Sequence, residues 1–293
     1  MDVVAAIRRG TAVLPAGVSP MVVGELHADT PWDASLRGVT GVIHLAARVH
    51  VTDDRAQDPL DEFRRVNVEG TAGIARRAAE AGVKRFVFVS SVKVHGEQRD
   101  TPYTERDEPA PADAYGQSKW EAEQALRAIE RETGMEVAVI RPPLVYGPGV
   151  RANFLRLLEA VHRRTPLPLG LVRNRRSLVF VGNLADALAR CLTHSNAAGR
   201  TFVISDGEDV STTALIRLLA DAMHLRAILL PVPVGILRLT GRLTGKADAI
   251  TRLVGSLNVD SRAIREHLEW RPPFSLRDGL AATVADFMES RAH

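Results

Sequence analysis

Cysteine is nearly absent from this chain, because Cys191 is its single cysteine among 293 residues. One thiol cannot form a disulfide within the chain, which excludes a disulfide-stapled scaffold. We therefore expect the protein in the reducing cytoplasm. Cys191 stands in a helical pattern of small and apolar residues, and we interpret it as a core residue.

Long hydrophobic runs are missing as well. The apolar stretch 228–237 is short and contains Pro231 and Pro233, whereas a bilayer-spanning helix needs about 20 apolar residues. We predict no membrane partner. The 38 Lys and Arg nearly balance the 35 Asp and Glu and are spread along the chain. Scattered charge argues against a nucleic-acid partner and favours anionic small molecules as ligands of the arginines.

Metal ligands are not grouped in the sequence. His44 and His95 have no second ligand at a metal-binding spacing, so we interpret both as structural and predict no metal.

Predicted strands and helices alternate along the chain. Such alternation indicates βαβ units, and it predicts an α/β fold with a doubly wound parallel sheet. A helix that Ser211 caps is expected to run through Met223. Strands are predicted over 3–7, 21–23, 41–48, 85–90, 136–141, 177–180 and 200–205, and helices over 63–81, 115–133 and 183–194.

The pair Tyr115 and Lys119 is the strongest sign of chemistry. The four-residue spacing puts both side chains on one helical face, one turn apart. There we expect the lysine ammonium to lower the phenol pKa, which makes the tyrosine a proton donor or acceptor near neutral pH. The chain has four lysines against 34 arginines, so a lysine at this position indicates a need for a compact ammonium. Ser90 and Ser91 end an apolar run upstream.

Three segments resemble a known family: Ser-Ser-Val-Lys-Val-His-Gly (90–96), Tyr-Gly-Gln-Ser-Lys (115–119) and Arg-Pro-Pro-Leu-Val-Tyr-Gly-Pro-Gly (141–149). Their order and spacing are similar to those of the extended short-chain dehydrogenases/reductases. More closely, they resemble the NAD-dependent epimerase/dehydratase family that acts on nucleotide sugars. The resemblance implies a catalytic triad that moves a proton while nicotinamide moves a hydride. The triad positions are Ser91, Tyr115 and Lys119.

The resemblance also implies two regions. We expect a Rossmann-like NAD(P)-binding domain over 1–145 plus about 178–205, and a smaller substrate-binding region over 146–177 plus 206–293. A Rossmann unit opens with a strand, a glycine-rich turn and a helix, but no Gly-x-Gly-x-x-Gly or Gly-x-x-Gly-x-x-Gly occurs in the sequence. We therefore expect the first strand to be missing. A start site further upstream and a natural truncation both stay open, and we favour the first.

The implied cofactor is NAD or NADP. Small residues at three positions are expected to let backbone pass close to it, and Asn67 is expected to support the helix beside the active site. Arg8 and Arg9 follow the first predicted strand, where a basic residue favours the 2′-phosphate of NADP. Besides Tyr115 and Lys119, the implied cofactor-binding positions are Glu25, Leu45, Ala46, Ala47, Asn67, Ser90 and Pro142.

The implied substrate is a UDP-sugar. Asn153 corresponds to a family asparagine near the sugar nucleotide, and Arg176 to an arginine that clamps the diphosphate. A guanidinium fork suits phosphate oxygens, and the alternative is a solvated arginine. Arg252 is a weaker second clamp. Ser91 and Lys93 complete the implied substrate-binding set.

Two residues reduce the number of reactions that the resemblance leaves open. In 4,6-dehydratases an Asp-Glu pair follows the catalytic hydroxyl, whereas this chain has Val92 and Lys93 there. Dehydration is therefore disfavoured. A UDP-hexose 4-epimerase in surface polysaccharide biosynthesis and a UDP-4-keto-6-deoxy-sugar 4-reductase stay open, as does a catalytically impaired remnant. We expect a homodimer.

Overall fold

The computed structural model describes residues 2–11, 13–49 and 58–292. Within these ranges strands and helices alternate as the sequence predicts. The strands are β1 (Val3–Ile7), β2 (Val18–Val22), β3 (Gly41–His44), β4 (Arg85–Val89), β5 (Glu136–Arg141), β6 (Leu144–Tyr146), β7 (Leu178–Phe180) and β8 (Thr201–Val203). The helices are α1 (Pro59–Arg64), α2 (Gly70–Glu80), α3 (Ala114–Thr133), α4 (Ala152–His162), α5 (Val181–Thr193), α6 (Thr212–Ala222), α7 (Val234–Leu243), α8 (Ala247–Val254), α9 (Arg262–Leu268) and α10 (Leu276–Ala292).

The strands pair in parallel, which confirms the α/β fold. A four-stranded sheet has the order β3-β4-β5-β8, and its register places Phe86 opposite both Val42 and Val137. β1 and β2 form a separate two-stranded sheet. The predicted strand 177–180 does not return to the larger sheet, since β7 pairs with β6 instead.

Contacts divide the chain into two compact units. The first comprises 1–96, 108–141 and 190–201, and the second 97–107, 142–189 and 202–293. These bounds differ from the expected domains. Residues 97–107 group with the second unit because Arg99 and Tyr103 donate backbone hydrogen bonds to Ser256 and Asn258. Segment 178–180 also groups with the second unit, because it pairs with β6.

The first unit buries the helices α2 and α3 against β4 and β5. Strand residues on both faces of this sheet are apolar, as is usual for parallel sheets that helices cover. Fully burying one leucine or phenylalanine contributes about 1.5–3 kcal/mol. The core includes Ile74, Ala75, Ala78, Phe86, Phe88, Leu126, Ile129, Val137 and Val139.

The second unit has its own core and a buried polar centre. The Asp206 carboxylate accepts hydrogen bonds from the Tyr146 hydroxyl at 2.8 Å, the Asn183 amide at 2.7 Å and the Phe180 backbone N–H at 2.8 Å. Burial raises the pKa of Asp206. A buried carboxylate is tolerated when such donors satisfy it. These bonds tie α5, β7 and the chain after β8 together.

The helix ends follow the local sequence. The Ser211 side chain accepts a hydrogen bond from the Ala214 N–H, which confirms it as the cap of α6. Gly82 has φ +82° after α2, as expected of a helix-ending glycine. The predicted helix 63–81 is interrupted by a π-helical segment, Arg65–Glu69.

Glu269 ends α9 in the left-handed conformation, with φ 51°. This conformation costs a non-glycine residue roughly 1–2 kcal/mol, whereas glycine adopts it freely. Glu269→Gly is therefore expected to stabilise the protein by about 0.5–1 kcal/mol, after the entropy that glycine loses on folding. Urea unfolding measures this. The matched control Glu266→Gly, on an exposed position inside the same helix, should destabilise by about 1 kcal/mol. A destabilised Glu269→Gly would contradict the prediction.

Candidate active site

Ser91 lies at the carboxyl end of β4, where the chain turns into a short 3₁₀ helix, Val92–Val94. Its hydroxyl caps this helix by accepting a hydrogen bond from the Lys93 N–H at 3.2 Å. It also hydrogen-bonds to Tyr115. The structure therefore brings together the first two members of the expected triad.

Helix α3 begins against the 3₁₀ helix. The Asp113 side chain caps α3 by accepting from the Gly116 N–H at 2.7 Å, and it forms an ion pair with the Lys93 ammonium at 2.5 Å. A Cβ on Gly116 would lie 2.7 Å from the Lys93 carbonyl oxygen, so only glycine allows this approach. These contacts position Tyr115 against Ser91. Lys93, expected to bind substrate, is paired with Asp113.

The ionisation of Tyr115 and Lys119 differs from the sequence expectation. Burial raises the Tyr115 pKa to about 12, and the nearby Asp113 adds to the rise, while the hydrogen bond with Ser91 lowers the pKa. Burial lowers the Lys119 pKa to about 7, although the negative charge of Glu123 acts in the opposite direction and raises this pKa. The expectation that Lys119 lowers the phenol pKa is wrong here, because burial outweighs other influences on both groups.

Lys119 is enclosed by the sheet. It is 2% exposed, and its ammonium lies 4.1 Å from the centroid of the Phe88 ring. Next to it, burial and the Lys119 charge lower the pKa of His44 to about 3, so this imidazole is neutral near pH 7. His44 Nε2 is 3.1 Å from the Thr71 hydroxyl, which supports the structural interpretation of His44.

A buried polar network lies beneath the triad. The Ser90 hydroxyl donates to the Glu123 carboxylate at 2.5 Å, and the Arg141 guanidinium donates to the same carboxylate at 3.0 and 2.6 Å. Arg141 also lies 2.8 Å from His95 Nε2. Sequence reasoning missed Glu123. Its position four residues after Lys119 on α3, one turn further along the same face, was the available signal.

Asn67 lies in the π-helical segment, a feature that often marks functional sites. Its amide oxygen accepts from the Arg48 N–H at 2.7 Å, and its amide nitrogen donates to the Arg48 carbonyl and to the Ser118 hydroxyl at 3.1 and 2.9 Å. Ser118 in turn donates to the Tyr115 carbonyl. Asn67 thus joins the loop after β3 to the start of α3.

Most of the other positions of the first unit that were expected to bind cofactor are open to solvent. Leu45 and Ala46 are exposed at the end of β3, and Ala47 is half-buried. Glu25 is exposed and forms an ion pair with Arg8 at 3.5 Å. Pro142 directly follows β5 and belongs to the second unit.

The second unit holds three expected substrate positions. The Arg176 guanidinium donates to the carbonyl oxygens of Arg252 and Gly255 at 2.6 and 3.3 Å, and burial lowers its pKa. Arg252 is half-buried and donates to the Asp248 carbonyl. Asn153 is exposed at the start of α4, next to Ala152, whose φ is 54°. The structure thus brings Arg176 and Arg252 together.

Within residues 2–11, 13–49 and 58–292, no three His, Cys, Asp or Glu side chains are grouped so that they could hold a metal ion. In the same ranges no helix has the length and apolar character needed to cross a membrane.

Known proteins are similar over most of this chain. The model of the NAD dependent epimerase/dehydratase family matches residues 1–205. The chain is 44% identical over 271 residues to the UDP-glucose 4-epimerase of Vibrio cholerae, covering 92% of this chain and 83% of that protein. It is 26% identical over 276 residues to the N-acetyl-alpha-D-glucosaminyl-diphospho-ditrans,octacis-undecaprenol 4-epimerase of Escherichia coli O157:H7, covering 89% and 82%. A solved structure, MoeE5 in complex with UDP-glucuronic acid and NAD, superposes with a TM-score of 0.78 at 26% identity, covering 99% of this chain and 91% of that one.

The depressed Lys119 pKa can be measured directly. In ¹³C-lysine-labelled protein we expect one side-chain resonance that titrates near pH 7, because burial disfavours the ammonium. Four lysines keep the spectrum simple. Lys119→Arg should remove this resonance, and the control Lys84→Arg should retain it. A Lys119 titration near 10.5, the usual lysine pKa, would refute the prediction.

Proposed function

Because the chain belongs to the NAD-dependent epimerase/dehydratase family, we propose that this enzyme transfers a hydride at C4 of a UDP-hexose, as a UDP-glucose 4-epimerase does. The observation that carries the proposal is the hydrogen bond between Ser91 and Tyr115 on a chain 44% identical to a UDP-glucose 4-epimerase. UDP-N-acetylglucosamine is a second substrate of the same class. The product would enter surface polysaccharide biosynthesis.

Tyr115 is proposed to move the proton. With a pKa of about 12 its phenol is protonated near neutral pH, so it can donate to the oxygen at C4 when a ketone is reduced. In the oxidising direction the phenol oxygen must accept the proton, and the hydrogen bond from Ser91 favours that anionic form. Lys119 adds positive charge beneath the site below about pH 7. Bound nicotinamide supplies and takes back the hydride.

Cofactor binding is proposed to use the exposed loop after β3, residues 45–47, together with Tyr115 and Lys119. These groups suit the nicotinamide end. Arg8, which follows β1, pairs with Glu25. A basic side chain at this position favours NADP, because it can bind the 2′-phosphate. NAD and NADP are compared by titration of each into the purified protein.

Water elimination is not proposed. Val92 is buried and Lys93 is paired with Asp113, so the two positions after Ser91 offer no carboxylate to move protons at C5 and C6. A UDP-4-keto-6-deoxy-sugar 4-reductase uses the same triad and is the second candidate. Product analysis separates them, because an epimerase interconverts UDP-glucose and UDP-galactose with catalytic NAD, whereas a reductase consumes reduced cofactor stoichiometrically. If the protein shows neither activity at saturating cofactor, a catalytically impaired protein is favoured.

We propose that the protein is a homodimer and that it resides in the cytoplasm. The free, buried thiol of Cys191 is compatible with this reducing compartment. Sedimentation analysis measures the oligomeric state.

Tyr115→Phe is expected to lower kcat about 10²–10⁴-fold, because it removes the proton carrier while the ring stays in place. UDP-sugar binding should be unchanged, since the phenol acts in the chemical step. Epimerisation kinetics and calorimetry measure the two quantities. Tyr103→Phe, a buried tyrosine of the second unit, serves as the control and should retain activity. A Tyr115→Phe enzyme within a few-fold of the parent would exclude this tyrosine as the proton carrier.

Arg176 is proposed to bind the diphosphate of the substrate. Arg176→Ala should weaken UDP and UDP-glucose binding together by about 1.5–3 kcal/mol, the usual loss for a charged hydrogen bond. Arg176→Lys should recover part of this, because an ammonium lacks the planar fork. Calorimetric titration at matched ionic strength measures affinity, and thermal unfolding verifies the fold. The neighbouring Arg175 is exposed and paired with Asp209, so Arg175→Ala is the control. Equal UDP affinity in parent and Arg176→Ala would contradict the assignment.

A further inference from the structure

Helix α7 presents its large apolar side chains to solvent. Ile236, Leu239 and Leu243 are 52%, 57% and 78% exposed. Their spacing of three and four residues places them in one stripe along the helix. Single exposed apolar residues are common on protein surfaces, but a contiguous stripe indicates an interaction surface.

The opposite side of α7 is what attaches the helix to its unit. Leu237 belongs to the core, and Gly241 is buried where α7 approaches α8. A Cβ on Gly241 would lie 2.8 Å from the Ile250 side chain, so the two helices are in close contact. Packing of the second unit therefore does not require the exposed stripe.

The sequence segment that contains the stripe carries charge of one sign. From 225 to 247 the sequence contains no Asp or Glu and four basic residues, Arg226, Arg238, Arg242 and Lys246. All four side chains are exposed. Arg238 and Arg242 lie one turn apart, next to the apolar stripe on the helix surface. The chain as a whole is nearly neutral, at +3, so this local excess is a feature of the segment.

An apolar stripe bordered by basic residues is typical of helices that lie in the interface of a lipid bilayer. Aliphatic side chains enter the boundary of the acyl chains, and arginine and lysine attract anionic headgroups. Nucleic acid would attract the arginines, but its phosphate backbone would leave the leucines without an apolar contact. A second copy of α7 would bring like charges together.

We propose that α7 binds the surface of an anionic phospholipid membrane through Ile236, Leu239 and Leu243, with Arg238 and Arg242 on the headgroups. The helix lies on the bilayer and does not span it. The proposal revises the expectation of no membrane partner, which rested on the lack of a spanning run. It does not depend on the reaction that the enzyme catalyses.

Vesicle co-sedimentation with the full chain tests the proposal. Two vesicle types are compared, phosphatidylcholine alone and phosphatidylcholine mixed equally with phosphatidylglycerol. We expect binding to the mixed vesicles and much weaker binding to phosphatidylcholine. High salt should release the protein, because headgroup attraction is screened when the Debye length falls to about 3 Å at 1 M.

Paired substitutions separate the two contributions. Leu239→Ser with Leu243→Ser should lower the partition coefficient about 100-fold, because each leucine withdrawn from an apolar contact accounts for roughly a factor of ten. Arg238→Gln with Arg242→Gln should lower binding to the mixed vesicles about 30-fold and leave phosphatidylcholine binding unchanged. Met288→Ser and Arg217→Gln, at exposed positions on α10 and α6, are matched controls that should bind like the parent.

Three results would overturn the proposal. The parent protein could fail to sediment with the mixed vesicles. The leucine and arginine pairs could bind as well as their controls. Finally, analytical ultracentrifugation could show a dimer that the leucine pair abolishes, without vesicle binding by the parent, and the face would then belong to a second copy of the chain.

Discussion

The buried ion pair between Glu123 and Arg141 holds together the part of the first unit that carries Ser91 and Lys119. The two side chains are 3% and 4% exposed, and the carboxylate also accepts the Ser90 hydroxyl. These contacts join the ends of β4 and β5 to α3. Removing one partner of a buried pair leaves an uncompensated charge and typically costs about 3–5 kcal/mol. The pair therefore connects the elements that carry Ser91, which follows Ser90, and Lys119, which lies one turn before Glu123.

Burial then determines the ionisation of the site. The Lys119 ammonium lies over the Phe88 ring, and Tyr115, in the first turn of α3, packs edge-on against the Phe63 ring. Burial drives each group toward its neutral form. Glu123 opposes the effect of burial on Lys119 by raising its pKa, and Ser91 opposes the effect of burial on Tyr115 by lowering its pKa. The result is a protonated phenol one turn from a lysine whose pKa is lowered to about 7, which is the ionisation that the proposed proton transfer to the oxygen at C4 requires.

Elements with strong local signals were predictable from the sequence. β1 and β5 occupy the predicted ranges, and the caps at Ser211 and Gly82 follow from the preference of serine for helix starts and of glycine for positive φ. The resemblance of three motifs correctly identified the family, and the structure brings two members of the expected triad, Ser91 and Tyr115, together. Period and turn chemistry act over a few residues, and so they can be recognised in sequence. The π-helical interruption at Asn67 and the pairing of β7 with β6 were missed, because both depend on contacts with distant segments.

The sequence by itself determined the α/β class, the parallel pairing and the identity of the tyrosine and lysine that stand one turn apart. Only the tertiary structure decided how those groups ionise, because burial and the charge of Glu123 arise from segments that the fold brings together. It alone paired Lys93 with Asp113 and revealed that the leucines of α7 face solvent. A helical pattern states which residues share a face, but the neighbours that a face meets are a property of the folded chain.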